Sequence, residues 1–118
     1  MFGVGISPGA RPYIPAPGAA KGGMGMFVLT MTVRLHAPWC RSLKDKRSEV
    51  KMLLSRLRAK FNVSAAEVGE QDQICLMELG IAAIAANSAQ ADSIAETLAG
   101  FIQSNTEAEI LSVEKELR

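Results

Sequence analysis

With 118 residues, 48% of them hydrophobic, the chain supports one core-forming domain and is too apolar for a wholly disordered protein. No run approaches the roughly 20 apolar residues that span a bilayer, and no basic start, apolar stretch and cleavage site mark a signal peptide. The formal charge of +1 conceals a division: residues 26–62 carry nine Lys/Arg against two acids, residues 63–118 two against ten. Such segregation points to a polyanionic partner and to binding rather than catalysis. The two cysteines, Cys40 and Cys75, are not closely spaced and read as reduced thiols of a cytoplasmic protein.

Residues 1–25 hold four of the five prolines (Pro8, Pro12, Pro15 and Pro17) and most of the glycines, without apolar periodicity. They read as a disordered tail or as the product of a start assigned upstream of Met24 or Met26. The domain is therefore expected over 26–118. Phe27, Leu29, Met31, Val33 and Leu35 alternate with more polar neighbours, a half-buried strand that Pro38 ends. Ser42 is a good N-cap, and Asp45 three residues later supplies a weaker capping box.

From Leu43 the period becomes helical: Leu43, Val50, Leu53, Leu54, Leu57 and Phe61 share about 100° of arc, predicting a helix that ends near Asn62. Val63 to Val68 reads as a second strand, and Gly69-Glu70-Gln71-Asp72 as a tight connection with glycine available for a positive φ. A third strand spans about Ile74 to Ala86, with Cys75, Met77, Leu79, Ile81 and Ala83 on one face. Asn87 or Ser88 caps a second helix that Ser104-Asn105 closes. Glu107 to Leu117 gives a last strand with Leu111, Val113 and Leu117 on one face. The order βαββαβ, closed by right-handed crossovers, predicts a ferredoxin-like α+β sandwich: a four-stranded antiparallel sheet with both helices on one face.

Three segments carry a family resemblance. They are Cys40-Arg41-Ser42-Leu43-Lys44-Asp45-Lys46-Arg47, the run from Phe61-Asn62-Val63-Ser64 through Gly69-Glu70-Gln71-Asp72, and Phe101-Ile102-Gln103-Ser104-Asn105. Together the chain from about Met26 to Leu117 resembles the YlxP-like family of small bacterial proteins, catalogued as a domain of unknown function (family 503). The resemblance implies a ferredoxin-like fold in a cytoplasmic bacterial protein. Its members are often encoded among translation-initiation and ribosome-maturation genes, which implies a ribosome-associated role by association only. It supplies no catalytic residue and assigns no role to its Arg-Ser-Leu-Lys motif, here Arg41 to Lys44.

Candidate sites follow from the first helix. With Leu43 at zero, Arg47, Arg58, Lys51 and Lys44 fall at about 40°, 60°, 80° and 100°, a cationic stripe led in by Arg41. Flexible cations in a row suit phosphate contact, so Arg41, Lys44, Arg47, Lys51 and Arg58 are the candidate RNA- or anion-binding residues. The alternative is a solvated helix face whose long stems cover the core edge. Arg41 and Lys44 oppose the helix dipole, which either an anionic ligand or local pairing with Asp45 would relieve.

Base stacking on the sheet is not expected, because Val28, Thr30, Thr32 and Arg34 on the first strand's outer face offer no aromatic ring. Trp39 reads as a packing residue unless it proves exposed. The loop His36-Ala37-Pro38-Trp39-Cys40-Arg41 lacks the glycines of an acylphosphatase phosphate cradle, so no enzyme is expected and no catalytic residue is assigned. His36, Cys40 and Cys75 lack the paired spacing of zinc ligands, and neither metal nor cofactor is expected. The expected partner is ribosomal or other structured RNA. The competing reading is a protein-interaction module, including a homodimer through an edge strand or through basic and acidic surfaces.

Overall fold

The computed structural model describes residues 25–118, so the reading of residues 1–25 as a tail lies, except for Gly25, outside the described residues. The elements follow in the order β1 (Phe27–His36), α1 (Leu43–Lys60), β2 (Ser64–Gly69), β3 (Leu76–Ala85), α2 (Ser88–Asn105) and β4 (Glu109–Leu117). The strands form one antiparallel sheet in the order β2-β3-β1-β4, the ferredoxin-like arrangement. Alternation on β1 places Leu29, Met31, Val33 and Leu35 in the core, and their neighbours on β3, Ala83, Ile81, Leu79 and Met77, lie opposite them in register on the same face.

Both helices cover that face. From α1 come Val50, Leu53 and Leu57, and from α2 Ala91, Ala95, Leu98 and Ile102. The small residues of α2 let its backbone approach the sheet, while the larger ones of α1 fill the other half. At their C-terminal ends the helices meet through an edge-to-face pair, Phe61 and Phe101, with ring centroids 5.1 Å apart.

The caps form as their chemistry requires. Ser42 Oγ accepts from the Asp45 N–H at 3.1 Å, and Asp45 Oδ2 accepts in return from the Arg41 N–H at 3.0 Å. Asn87 rather than Ser88 caps α2, accepting from the Gln90 N–H at 2.8 Å. Helix α1 stops at Lys60, with Phe61 as its C-cap, slightly before the predicted end. Strands β3 and β4 start two residues later than the pattern predicts, at Leu76 and Glu109.

Three features of the strands and their connection differ from the sequence pattern. The left-handed residue of the β2–β3 connection is Glu70 (φ 58°), not Gly69. A bulge between Glu67 and Gly69 leaves Val68 without a partner on β3, and a Cβ on Gly80 would lie 2.7 Å from Val68 Cγ1. A second bulge leaves Leu111 unpaired between Ser112, opposite Arg34, and Ile110, opposite Leu35. Val113 and Leu117 keep register with the core residues Val33 and Leu29, but on this edge strand they remain 40% and 38% exposed.

Candidate functional site

The chemistry-bearing side chains gather around α1, and the sheet order decides what each one meets. Glu49 accepts from the Thr106 hydroxyl at 2.6 Å and Arg56 donates to Asn105 Oδ1 at 3.0 Å, so this flank of α1 faces α2. The opposite flank faces the edge strand β2, where the Arg58 guanidinium donates to the Ala65 carbonyl. The cationic stripe therefore runs along the β2 edge.

Arg41, Lys44, Arg47 and Lys51 are exposed along this side of α1. None of the four is within 4.0 Å of a carboxylate among the described residues. Asp45, the candidate local partner, uses its carboxylate on the Arg41 backbone N–H instead of on the guanidinium. Arg58 differs from the other members of the stripe. It is half-buried and engaged with β2, where it occupies a carbonyl that an edge strand would otherwise present to other chains.

Lys46 was counted among the basic residues, yet it is the one charged residue of the described chain that is fully buried, at 1% exposure. Its ammonium donates to the Glu70 carbonyl at 2.5 Å and lies 3.3 Å from Glu67 Oε2. That carboxylate oxygen makes no hydrogen bond, so the pair is Coulombic more than hydrogen-bonded. A sequence signal existed. At 100° per residue Lys46 lies between Leu53 and Leu57, in the middle of the apolar arc, where a solvated lysine has no place. Arg34 meets the Glu70 carboxylate at 2.5 Å from the open face of the sheet, so Glu70 is held through both its side chain and its backbone carbonyl.

The loop before α1 is fixed at both ends. Ala37 is buried and its N–H donates to the Cys75 carbonyl at 2.8 Å; buried Cys40 donates its N–H to the Ala37 carbonyl at 3.1 Å. Between them Pro38 and Trp39 project outward, and Trp39 is 44% exposed, contrary to its reading as a packing residue. Cys75 Sγ lies 3.5 Å from the Cys40 carbonyl oxygen. Burial pushes the Cys40 thiol up, Asp45 and Glu49 adding to the effect and Lys46 opposing it, so the group stays protonated and packs as an apolar side chain. His36 lies on the other face of β1 from the core and is not brought to the thiols. Among the described residues no three His, Cys, Asp or Glu side chains are gathered to hold a metal ion, and no helix is long and apolar enough to cross a membrane.

The open face of the sheet carries a shallow depression of about 570 Å³ over Thr30, Thr32, Ala66, Val68, Gly80 and Ala82. Its lining is small and largely apolar, with Arg118 at the rim, and it assembles no acid, base or nucleophile.

Fold and site together define a small ferredoxin-like α+β protein whose charged chemistry lies on the first helix and not in a cleft. A protein-family model described as "Protein of unknown function (DUF503)" matches residues 28–115, and the chain belongs to that family. It is 40% identical over 68 residues to the "Uncharacterized protein YlxP" of Bacillus subtilis (strain 168), an alignment covering 58% of this chain and 74% of that protein.

Proposed function

We propose that the protein is a non-enzymatic, cytoplasmic binder of structured RNA, ribosomal RNA included, that grips phosphates through Arg41, Lys44, Arg47 and Lys51. The observation that carries this reading is the state of those four cations. Arg41 just before α1 and Lys44, Arg47 and Lys51 on it are exposed, and the acids of the same segment, Asp45 and Glu49, are occupied by the helix cap and by Thr106. Lys44 and Lys51 are seven residues apart, about 10 Å along the axis, a span that suits contact with successive phosphates. Arg58 borders the stripe and shapes it while holding β2.

Phosphate contact of this kind releases counterions. With about four phosphates engaged, log K for a ribosomal RNA fragment should fall against log salt with a slope near −3 to −4. Lys44→Glu/Arg47→Glu should abolish that binding and remove the protein from the ribosomal fractions of a sucrose gradient, as RNase treatment should for the wild type. Equal migration of wild type and double variant with ribosomes would show that the stripe is not the contact.

A second reading, self-association, is favoured by one observation: Leu111, Val113 and Leu117 are 45%, 40% and 38% exposed on β4, whose outer edge meets no strand among the described residues. Its occupant would be the same strand of a second copy.

A further inference from the structure

Trp39 has no role in phosphate contact, and the turn that carries it does not need it. In the turn Ala37-Pro38-Trp39-Cys40, closed by the Cys40 N–H to the Ala37 carbonyl, proline at the second position sets φ. The third position is commonly met by a small polar residue or glycine; an indole there forgoes much of the burial that a tryptophan usually gains. Both flanks of the turn are pinned, by Ala37 to Cys75 on one side and by Arg41 to Asp45 on the other. The ring is thus presented on a preorganised backbone, two residues from the exposed Arg41 and just before the first turn of α1, where Lys44 begins the stripe.

We propose that Trp39 is a stacking platform for an unpaired base of the RNA whose phosphates the α1 cations hold. The inference rests on the phosphate-contact reading and narrows its ligand. A base held in a duplex hides both faces, so the ligand must offer a loop, a bulge or a single-stranded end beside its backbone. The open face of the sheet carries no Phe, Tyr or Trp on β1, β2, β3 or β4, and its one ring, His36, lies at the end of β1 where this loop begins, so the large stacking surface is left to the loop. Stacking on one ring tolerates any base, which predicts preference for unpaired structure without preference for sequence. Other large apolar side chains are exposed as well, Phe27, Ile74 and Val68 among them, but Ile74 and Val68 are not aromatic, and Phe27 opens β1 at the opposite end of that strand from the loop.

Trp39 is the sole tryptophan, so intrinsic fluorescence of the full chain reports on this ring alone. Three probes separate the contributions: an adenine oligoribonucleotide, an RNA duplex of the same charge, and inorganic polyphosphate. The expected result is quenching by the oligoribonucleotide and little by the duplex or polyphosphate. Trp39→Ala should weaken oligoribonucleotide binding roughly 5- to 150-fold with an unchanged salt slope, and Trp39→Phe should restore most of it. Polyphosphate affinity should not depend on residue 39. If Trp39→Ala binds the oligoribonucleotide as tightly as wild type while Lys44→Glu/Arg47→Glu does not bind, stacking is refuted and phosphate contact stands. If the wild type binds none of the three probes at low salt, both readings fall.

Discussion

A single buried side chain can hold together segments far apart in the chain, and Lys46 is such a residue. Its ammonium joins the first turn of α1 to the β2–β3 connection through Glu70 and Glu67, two contacts that the chain makes only after both segments are in place. Removing the lysine leaves the Glu67 carboxylate poorly hydrated and without its counter-charge, while the Glu70 carbonyl keeps only the Gln73 N–H. A fully buried pair broken in this way loses about 3–5 kcal/mol, and the partial exposure of Glu67, 17%, lowers the figure here to about 2–4 kcal/mol. Lys46→Met should show that loss in urea denaturation, and Lys46→Met/Glu67→Met should recover much of it, because no charge is then left alone in the core. A fully stable single variant would show that the contact contributes nothing. Arg58 makes the complementary point. Its place on the helical wheel matched Lys51 and Arg47, but the wheel does not reveal that β2 lies alongside, with a carbonyl free to accept.

Among elements, α1 depends most on local chemistry, since its N-terminus carries cations that the helix dipole disfavours. The reciprocal pair of Ser42 and Asp45 offsets that cost: it satisfies two backbone N–H groups and brings a carboxylate to the positive end of the dipole. Ser42→Ala should lower stability by about 1 kcal/mol, and Asp45→Ala by a similar amount. The double variant should lose less than the sum, since each residue orients the other. Thermal unfolding followed by circular dichroism provides the check, about 4–8 °C per kcal/mol for a domain of this size. The same motif shows why the elements were legible in sequence. Caps, breaks and periods of two or 3.6 are local, and they correctly located all six elements. Their ends were less legible. The bulges at Val68 and Leu111, and the transfer of positive φ from Gly69 to Glu70, arise from pairing with strands distant in sequence and from the hold of Lys46 and Arg34 on the connection.

At the scale of the molecule, the sheet order converts a division along the chain into a division in space. The α1 cations border β2 at one edge, while Glu109, Glu114 and Glu116 lie on β4 at the other. Two modes of self-association follow from this layout, and salt separates them. A pairing of the basic edge with the acidic edge of a neighbour dissociates at about 1 M salt, where the Debye length is about 3 Å, whereas pairing of apolar β4 edges persists. If β4 edges pair, light scattering should give a dimer for the wild type in high salt and a monomer for Val113→Lys. A wild type monomeric at both low and high salt would exclude β4 pairing.

Sequence pattern alone established the ferredoxin-like βαββαβ order, the Ser42 cap of α1, the core faces of β1 and β3 and the position of the cations on α1. All of these depend on neighbours within a few residues. Tertiary structure alone decided which cations face solvent and which are held: Lys46 entered the core because Glu67 and Glu70 meet it there, and Arg58 turned to β2 because that strand is the edge beside α1. It also decided that Trp39 stands outside, since Ala37 and Cys40 occupy the core on either side of it and leave the turn between them directed at solvent. Local pattern specifies which residues carry charge or aromatic surface. Contacts between segments far apart in the chain determine which of them remain free to bind.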